Sequence, residues 1–429
     1  MTDAPRLLPP PMDDAALSSV AVAYSGGLDS TVLLHLLRDR PGVRALHVHH
    51  GLHPDADAWA AYCEATCAGW GVPLTVLRVR VARDAGDGLE GAARRARYAA
   101  FETVLQPGDV LALAHHRDDQ AETFMLRALR GSGVDGLGAM APWRAFGAAW
   151  LWRPLLDTPR AAIARYADAH GLRWVEDPSN TDAALDRNHL RHAVLPALRA
   201  RWPEADAAFA RAAALAREAA TLLDAEDDAE IARLSIDANT LSRDGLRALP
   251  AARRARVLRR WIARLGLPPL PASGVEAIDA ELLDARDDAE AAFRWREAEV
   301  LAWRDALWAG TSRPPLPSHW RAAWDGRAPL ALPGGGSLAL LGASGFDAPL
   351  SVHARRGGER IRLPGRAQSH ALKHVLQAQA VPPWRRSRMP LLSDADGVLC
   401  AAGDRILSGA FAAWLDARRA RLCWSDAPR

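Results

Sequence analysis

Residues 20–31 read Val-Ala-Val-Ala-Tyr-Ser-Gly-Gly-Leu-Asp-Ser-Thr, and no other stretch narrows the fold as much. Val20 to Tyr24 has the length and composition of a strand buried on both faces. Ser25-Gly26-Gly27 breaks it, and beyond Asp29 the residues Val32, Leu33, Leu36 and Leu37 recur at helical spacing. Gly26 and Gly27 then place backbone N–H groups at a helix N-terminus, where the missing Cβ atoms let an oxyanion come close. Ser25, Ser30 and Thr31 add hydroxyls, and the helix dipole favours negative charge, so the turn suits a phosphate. The plainer alternative is an ordinary strand-to-helix turn with a glycine pair.

The spacing excludes two familiar phosphate sites. A P-loop needs a lysine after its second glycine, and a dinucleotide fold needs G-x-G-x-x-G; neither occurs here. Asp29 beside the expected phosphates makes chemical sense when a divalent cation bridges it to them. The whole string Ser-Gly-Gly-Leu-Asp-Ser after an apolar run resembles the loop of N-type ATP pyrophosphatases, enzymes that cleave ATP between its α and β phosphates. By that resemblance Ser25, Gly26, Gly27, Leu28, Asp29 and Ser30 would bind ATP.

Downstream, apolar runs at 43–49, 74–79 and 110–115 alternate with helical patterns at 56–69, 88–105 and 118–130. That alternation predicts a parallel sheet with helices on both faces and a ligand crevice at the carboxyl ends of its strands. Ser25, His49-His50 and His115-His116 all fall at such ends. At 429 residues the chain exceeds one ordinary core, so further domains are expected. We divide it into an α/β domain over 1–200, a mainly helical domain over 201–312 without strands to about 265, a Pro/Gly linker over 313–336 and a small α+β domain over 337–429. No apolar run reaches about 18 uncharged residues, and Met1 to Asp14 lacks the regions of a secretion signal. A cytoplasmic protein with no membrane contact is expected. The four cysteines are too few for a disulfide framework, and Cys63 and Cys67, on one helix face, read as core or free thiols.

Three features beyond the loop point to chemistry or to a partner. In His115-His-Arg-Asp-Asp-Gln-Ala-Glu-Thr123, Asp119 and Glu122 stand three apart on a helix start, so their carboxylates share a face over the crevice. They could take a proton, hold a metal or bind an amine; a negative first turn complementing the helix dipole is the bland alternative. Arg94, Arg97 and Tyr98 form a cationic and aromatic strip, readable either as a polyanion contact or as an exposed salt-bridged face. Between Ser351 and Pro390 nine cations face one acid, a local charge of +8 that fits contact with a phosphate backbone. By contrast Val257, Leu258, Trp261, Ile262 and Leu265 mark the basic stretch 253–264 as a core-facing helix.

Taken together, Ser25 to Ser30, His49-His-Gly-Leu52, Gly88-Leu-Glu90 with Arg94, Arg97 and Tyr98, His115 to Thr123, Arg130-Gly-Ser-Gly133, and Glu176-Asp-Pro-Ser-Asn180 with Arg187 and Arg191 resemble the tRNA(Ile)-lysidine synthetase family. Arg356-Gly-Gly-Glu359 and Pro383-Trp-Arg-Arg386 are similar to its last domain. The resemblance implies an adenine nucleotide α-hydrolase-like fold. It also implies a ligase that adenylates the wobble cytidine of a CAU-anticodon isoleucine tRNA and transfers free L-lysine to C2, with ATP and Mg²⁺. On that basis Asp29, Asp119, Glu122, Arg187 and Arg191 are the expected catalytic residues, Asp29 the metal ligand, and Asp119 and Glu122 the lysine site. Arg94, Arg97, Arg356, Arg385 and Arg386 are expected on tRNA, and a homodimer is compatible with the family. A tRNA thiolase on the same loop would need a cysteine pair or iron–sulfur ligands nearby, which Cys63 and Cys67 do not fit well.

Overall fold

The computed structural model describes residues 5–8, 19–81, 88–176, 185–286 and 291–426. Two compact units divide the chain, residues 1–223 and 224–429.

In the first unit the elements run β1 (Val20–Ala23), α1 (Leu28–Leu37), β2 (Val43–His49), α2 (Ala56–Trp70), β3 (Leu74–Arg78), α3 (Gly88–Val104), β4 (Val110–Ala112) and α4 (Arg117–Leu129). A short α5 (Val134–Leu137), the hairpin β5 (Trp143–Phe146) and β6 (Ala149–Trp152), and α6 (Arg160–Ala169) follow. The strand order is β3-β2-β1-β4-β6-β5, parallel except for the β5–β6 hairpin. The last parallel strand pairs at 149–152 and the chain then turns away, and β4 stops three residues short of His115, shorter than the apolar run at 110–115. Two-residue alternation sorts the central strand: Val20, Val22 and Tyr24 face α1, α2 and α6, while Ala21 joins Phe101 of α3 on the other side. Each fully buried Val or Leu contributes ~1.5–3 kcal/mol. The strand order reverses between β1 and β4, and that switch point opens the crevice where the two following loops meet.

After α7 (Asp186–His189), a π-helical turn Leu190–Val194 and α8 (Leu195–Arg201), a long α9 (Ala205–Leu234) crosses the boundary between the units. The middle region is helical, with α10 (Arg243–Arg247) and α11 (Ala251–Arg264), but it also holds a five-stranded antiparallel sheet: β7 (Ser235–Asp237), β8 (Thr240–Ser242), β9 (Ala291–Trp295), β10 (Ala298–Trp303) and β11 (Ala306–Thr311). Strands before 265 were not expected; β7 and β8 are three residues each, too short for a period to show. As the spacing predicts, Val257, Leu258, Trp261 and Ile262 of α11 are buried. Its Arg256 and Arg260 pair with Asp224, Asp227 and Asp228 of α9, so those cations hold the fold together.

Residues 313–336, whose composition suggests a linker, are folded. They contain strands Arg321–Trp324 and Leu330–Ala331, and Leu316, Trp324 and Leu332 enter the C-terminal core. Prolines at strand ends, each in a short run, imitate linker composition. The rest of this region is antiparallel sheet with helices Leu372–Ala378 and Gly409–Ala417. The latter was not anticipated, although Ser408 caps it by accepting from Phe411 N–H at 3.2 Å.

Candidate active site

Tyr24 N–H donates to Leu46 O at 2.8 Å, carrying the parallel pairing to the edge of the turn. Gly26 then takes φ +84°, a left-handed value that suits glycine. A Cβ on it would lie 3.0 Å from Cys63 Sγ. Its carbonyl accepts from Val175 N–H at 2.9 Å and from the Thr31 hydroxyl at 3.3 Å, so the turn is clamped from two sides. Ser30 Oγ donates to Gly27 O at 3.0 Å and accepts from Ser25 N–H at 3.2 Å. No side chain caps α1, and its first bond runs from Thr31 N–H to Gly27 O at 3.0 Å. The N–H groups of Leu28, Asp29 and Ser30 therefore have no intrahelical acceptor. The arrangement is an anion cradle.

Opposite it, His116 opens α4 in a capping box: its Nδ1 accepts from Asp119 N–H at 3.4 Å and its N–H donates to Asp119 Oδ2 at 3.1 Å. Asp119 and Glu122 share a face, as their spacing requires, and both are buried. They are not vacant. Arg187 Nε donates to Glu122 Oε2 at 2.7 Å and Arg191 Nε to Glu122 Oε1 at 2.7 Å. The outer nitrogens of both arginines reach Asp119 Oδ1, at 3.0 and 3.1 Å. The pairing follows from spacing, because residues 187 and 191 are four apart on one helical face, as 119 and 122 are three apart on another. Burial works against the charge on Asp119, but His116 and Arg187 outweigh it and hold the carboxyl well below the usual range. Burial likewise disfavours the Arg187 cation, and Asp119 and Glu122 more than compensate.

His116 joins the two halves. Its Nε2 lies 3.7 Å from Asp29 Oδ2 and 3.4 Å from Asp119 Oδ2. Burial opposes a charge on this ring, yet Asp119, Asp29 and Asp118 together raise its pKa. Asp29 Oδ1 is buried and accepts no hydrogen bond; Arg160 Nε, at 3.9 Å, is too far to supply one. An orphaned carboxylate oxygen beside an open anion cradle is what a hard divalent cation between carboxylate and phosphate requires. Among the described residues no cluster of three metal-ligating side chains exists, so such a cation would take its remaining ligands from phosphate and water.

The strip on α3 faces the same crevice. Arg94 lies 4.9 Å over the Tyr98 ring and donates to its hydroxyl at 3.3 Å. Arg97 bears on His50, which burial first and then this cation push down to about 4. Asp118 is structural: it accepts from Arg160 N–H at 3.0 Å and pairs with Arg199 at 2.9 Å. Asp177 to Asn180 lie outside the described residues. Sequence reasoning set His116 at the crevice but gave it no role, and it missed Arg153 and Val175, since only the tertiary fold sets them against the loops.

In the C-terminal region the expected tRNA contacts are partly engaged. Arg386 Nε donates to Val381 O at 2.6 Å and its guanidinium covers Trp303 at 5.4 Å, while Arg385 stacks over Trp424 at 5.2 Å. Trp384 stacks on Trp308 at 5.6 Å. Arg356 is exposed, and the turn it begins closes on itself as Gly357 N–H donates to Glu359 at 2.8 Å. Exposed Arg362, Arg366 and Lys373 have no side-chain partner among the described residues.

Residues 5–198 match the PP-loop domain family, 241–308 the TilS substrate binding domain and 350–424 the TilS substrate C-terminal domain. The chain is 54% identical to the tRNA(Ile)-lysidine synthase of Xanthomonas axonopodis pv. citri, over 95% of this chain and 94% of that one. It is 52% identical to that of Xylella fastidiosa strain Temecula1, over 94% of each. With that of Pseudomonas aeruginosa the identity is 45%, over 89% of this chain and 88% of the relative. An anion cradle, a buried acid pair across the switch point and likeness along nearly the whole length agree, and the chain belongs to the tRNA(Ile)-lysidine synthase family of ATP-dependent, tRNA-modifying ligases.

Proposed function

We propose that the chain joins lysine to C2 of the wobble cytidine of the CAU-anticodon isoleucine tRNA, through a tRNA adenylated at that base, with release of pyrophosphate and AMP. The observation that carries this reading is the single crevice shared by the α1 cradle and the Asp119/Glu122 cluster, joined by His116. The N–H groups of Leu28, Asp29 and Ser30 would hold the departing pyrophosphate, where fixed donors are worth most. Asp29, through its orphaned oxygen, would hold Mg²⁺ with the phosphates. When bound, that ion supplies neutralisation of charge on the leaving group.

Lysine is a zwitterion with a second ammonium on its side chain. Asp119 and Glu122 would take its ammonium charge, and Arg187 and Arg191 its carboxylate or the AMP phosphate. Pairs now closed on each other would exchange internal partners for those of the substrate. Such an exchange keeps every buried charge paired throughout. The attacking amine must be neutral, and a carboxylate of this cluster would accept its proton. Arg94 and Arg97 would face the tRNA at the crevice. Arg356, Arg362, Arg366 and Lys373 are the tail cations best exposed to its backbone, with Arg385 and Arg386 supporting them from within. A cytoplasmic location and a homodimer are part of the same proposal; light scattering reads the latter.

Incubation with isoleucine tRNA transcript, ATP and labelled lysine, then nuclease digestion, tests the reaction. Label on cytidine and release of AMP are expected. Label elsewhere, or none despite AMP release, overturns the assignment.

A further inference from the structure

Arg153 lies immediately after β6 and is 4% exposed. Its backbone N–H donates to Pro142 O at 2.8 Å, its Nη1 to Ala141 O at 2.6 Å, and its Nε to Nδ1 of His115 at 3.2 Å. A guanidinium has donors only. The Nδ1 of His115 must therefore present its lone pair, and the proton of the neutral ring must sit on Nε2.

The surroundings of His115 come from four elements. Arg153 follows β6, Arg94 lies on α3, Arg187 on α7 and Asp119 on α4. Burial and three cations oppose a second proton on the ring, and Asp119 alone favours it. Together they push His115 down to about 3. His115 is half-buried, three residues past the end of β4, beside the acid and arginine cluster.

We propose that Arg153 is a positioning residue that locks His115 as a neutral Nε2–H donor toward the reacting groups, so that His115 polarises an oxygen there and takes no proton in the reaction. The donor would be aimed at negative charge developing on the base or the phosphate, as in an oxyanion site. The proton of the incoming amine then leaves by the carboxylates. This rests on the ligase reading, but its first test does not need activity.

Full-length protein labelled with ¹⁵N-histidine, with His115 assigned through H115Q, should show a bare-type Nδ1 and a protonated-type Nε2 that do not move between pH 5.5 and 8.5. A protonated Nδ1, or titration in that range, overturns the proposal. In the lysidine assay H115Q, whose amide keeps a donor near Nε2, should stay within about tenfold of the parent. H115A should lose on the order of 10²-fold, as removal of one oxyanion donor does. Equal loss in both would mean that His115 works as a base, and the proposal fails. R153K keeps a donor and should preserve the spectrum and a pH-independent rate. R153M should release both tautomers and add an acid limb to the pH–rate profile. If the R153M profile is only scaled down from the parent, Arg153 is a fold-holding residue and nothing more. Absence of lysidine from the parent enzyme would refute the ligase reading, while the imidazole spectrum would still decide the tautomer of His115.

Discussion

Arg187 Nε lies 2.7 Å from Glu122 Oε2, and through that contact a segment more than sixty residues downstream in sequence closes over the acid pair at the head of α4. Glu122 is 1% exposed, so its charge is compensated by Arg187 and Arg191 and not by water.

Glu122→Ala should therefore act twice. It leaves two partly buried guanidiniums without their best acceptor, and breaking such a pair costs ~3–5 kcal/mol when fully buried, less here because the arginines keep some solvent. A lower unfolding midpoint in urea is expected. AMP formation should persist while lysine transfer fails, as separate assays of the two products would read. Equal loss of both contradicts a lysine-holding role.

Asp29→Ala removes the orphaned oxygen that faces the cradle. Adenylation should fall by at least about 10³-fold, a loss of ~4 kcal/mol in transition-state stabilisation. Binding of tRNA, measured by filter retention, should hardly change. Unchanged AMP production would displace the cation from this residue.

The two glycines of the loop should behave differently. Gly26→Ala forces a side chain into φ +84° and against Cys63 Sγ, costing ~1–2 kcal/mol for the backbone alone. Thermal unfolding should fall by several degrees. At Gly27, φ is −77° and an added Cβ would find its nearest atom 3.5 Å away, so Gly27→Ala should fold normally. Its Cβ should nonetheless crowd the bound phosphates, raising the KM for ATP. An unchanged KM would mean that the phosphates do not sit over this residue.

Cys63 is pushed up to about 12, by burial first and then by Cys67 and Glu64. A thiol in solution ionises near ~8.5. The folded state therefore keeps its proton where the unfolded chain loses it. The contribution of Cys63 to stability is complete below ~8.5 and declines as pH rises from there toward 12. Cys63→Ala should flatten the alkaline fall in stability. In the native protein at pH 8, a disulfide reagent should leave Cys63 and Cys67 unmodified; rapid modification would show that the thiols are neither buried nor neutral.

The loop was legible in the sequence because its requirements are local. A buried strand, a left-handed glycine and an uncapped helix start each need particular residues at fixed offsets, and Val20 to Thr31 supplies them in order. The same holds for Asp119 and Glu122, whose shared face follows from helical periodicity. Val257 to Ile262 was likewise legible as a core stripe, since burial leaves a 3.6-residue mark. The strands at 235–242 and 321–331 left none, because segments of two to four residues carry too little pattern, and in the second stretch Gly326 and Pro329 imitate a linker.

What the sequence determined by itself, then, was the chemistry on offer: an anion cradle, a carboxylate for a cation, an acid pair and a surplus of arginine. Which charge meets which was decided by tertiary structure, because an ion pair depends on distance in space and carries no fixed offset along the chain. Thus Arg187 and Arg191 close on Asp119 and Glu122, His116 bridges to Asp29, and Arg153 reaches across the sheet to His115. Arg385 and Arg386, alike in sequence to any exposed basic pair, are drawn onto Trp424 and Trp303 by packing that only the folded chain brings together.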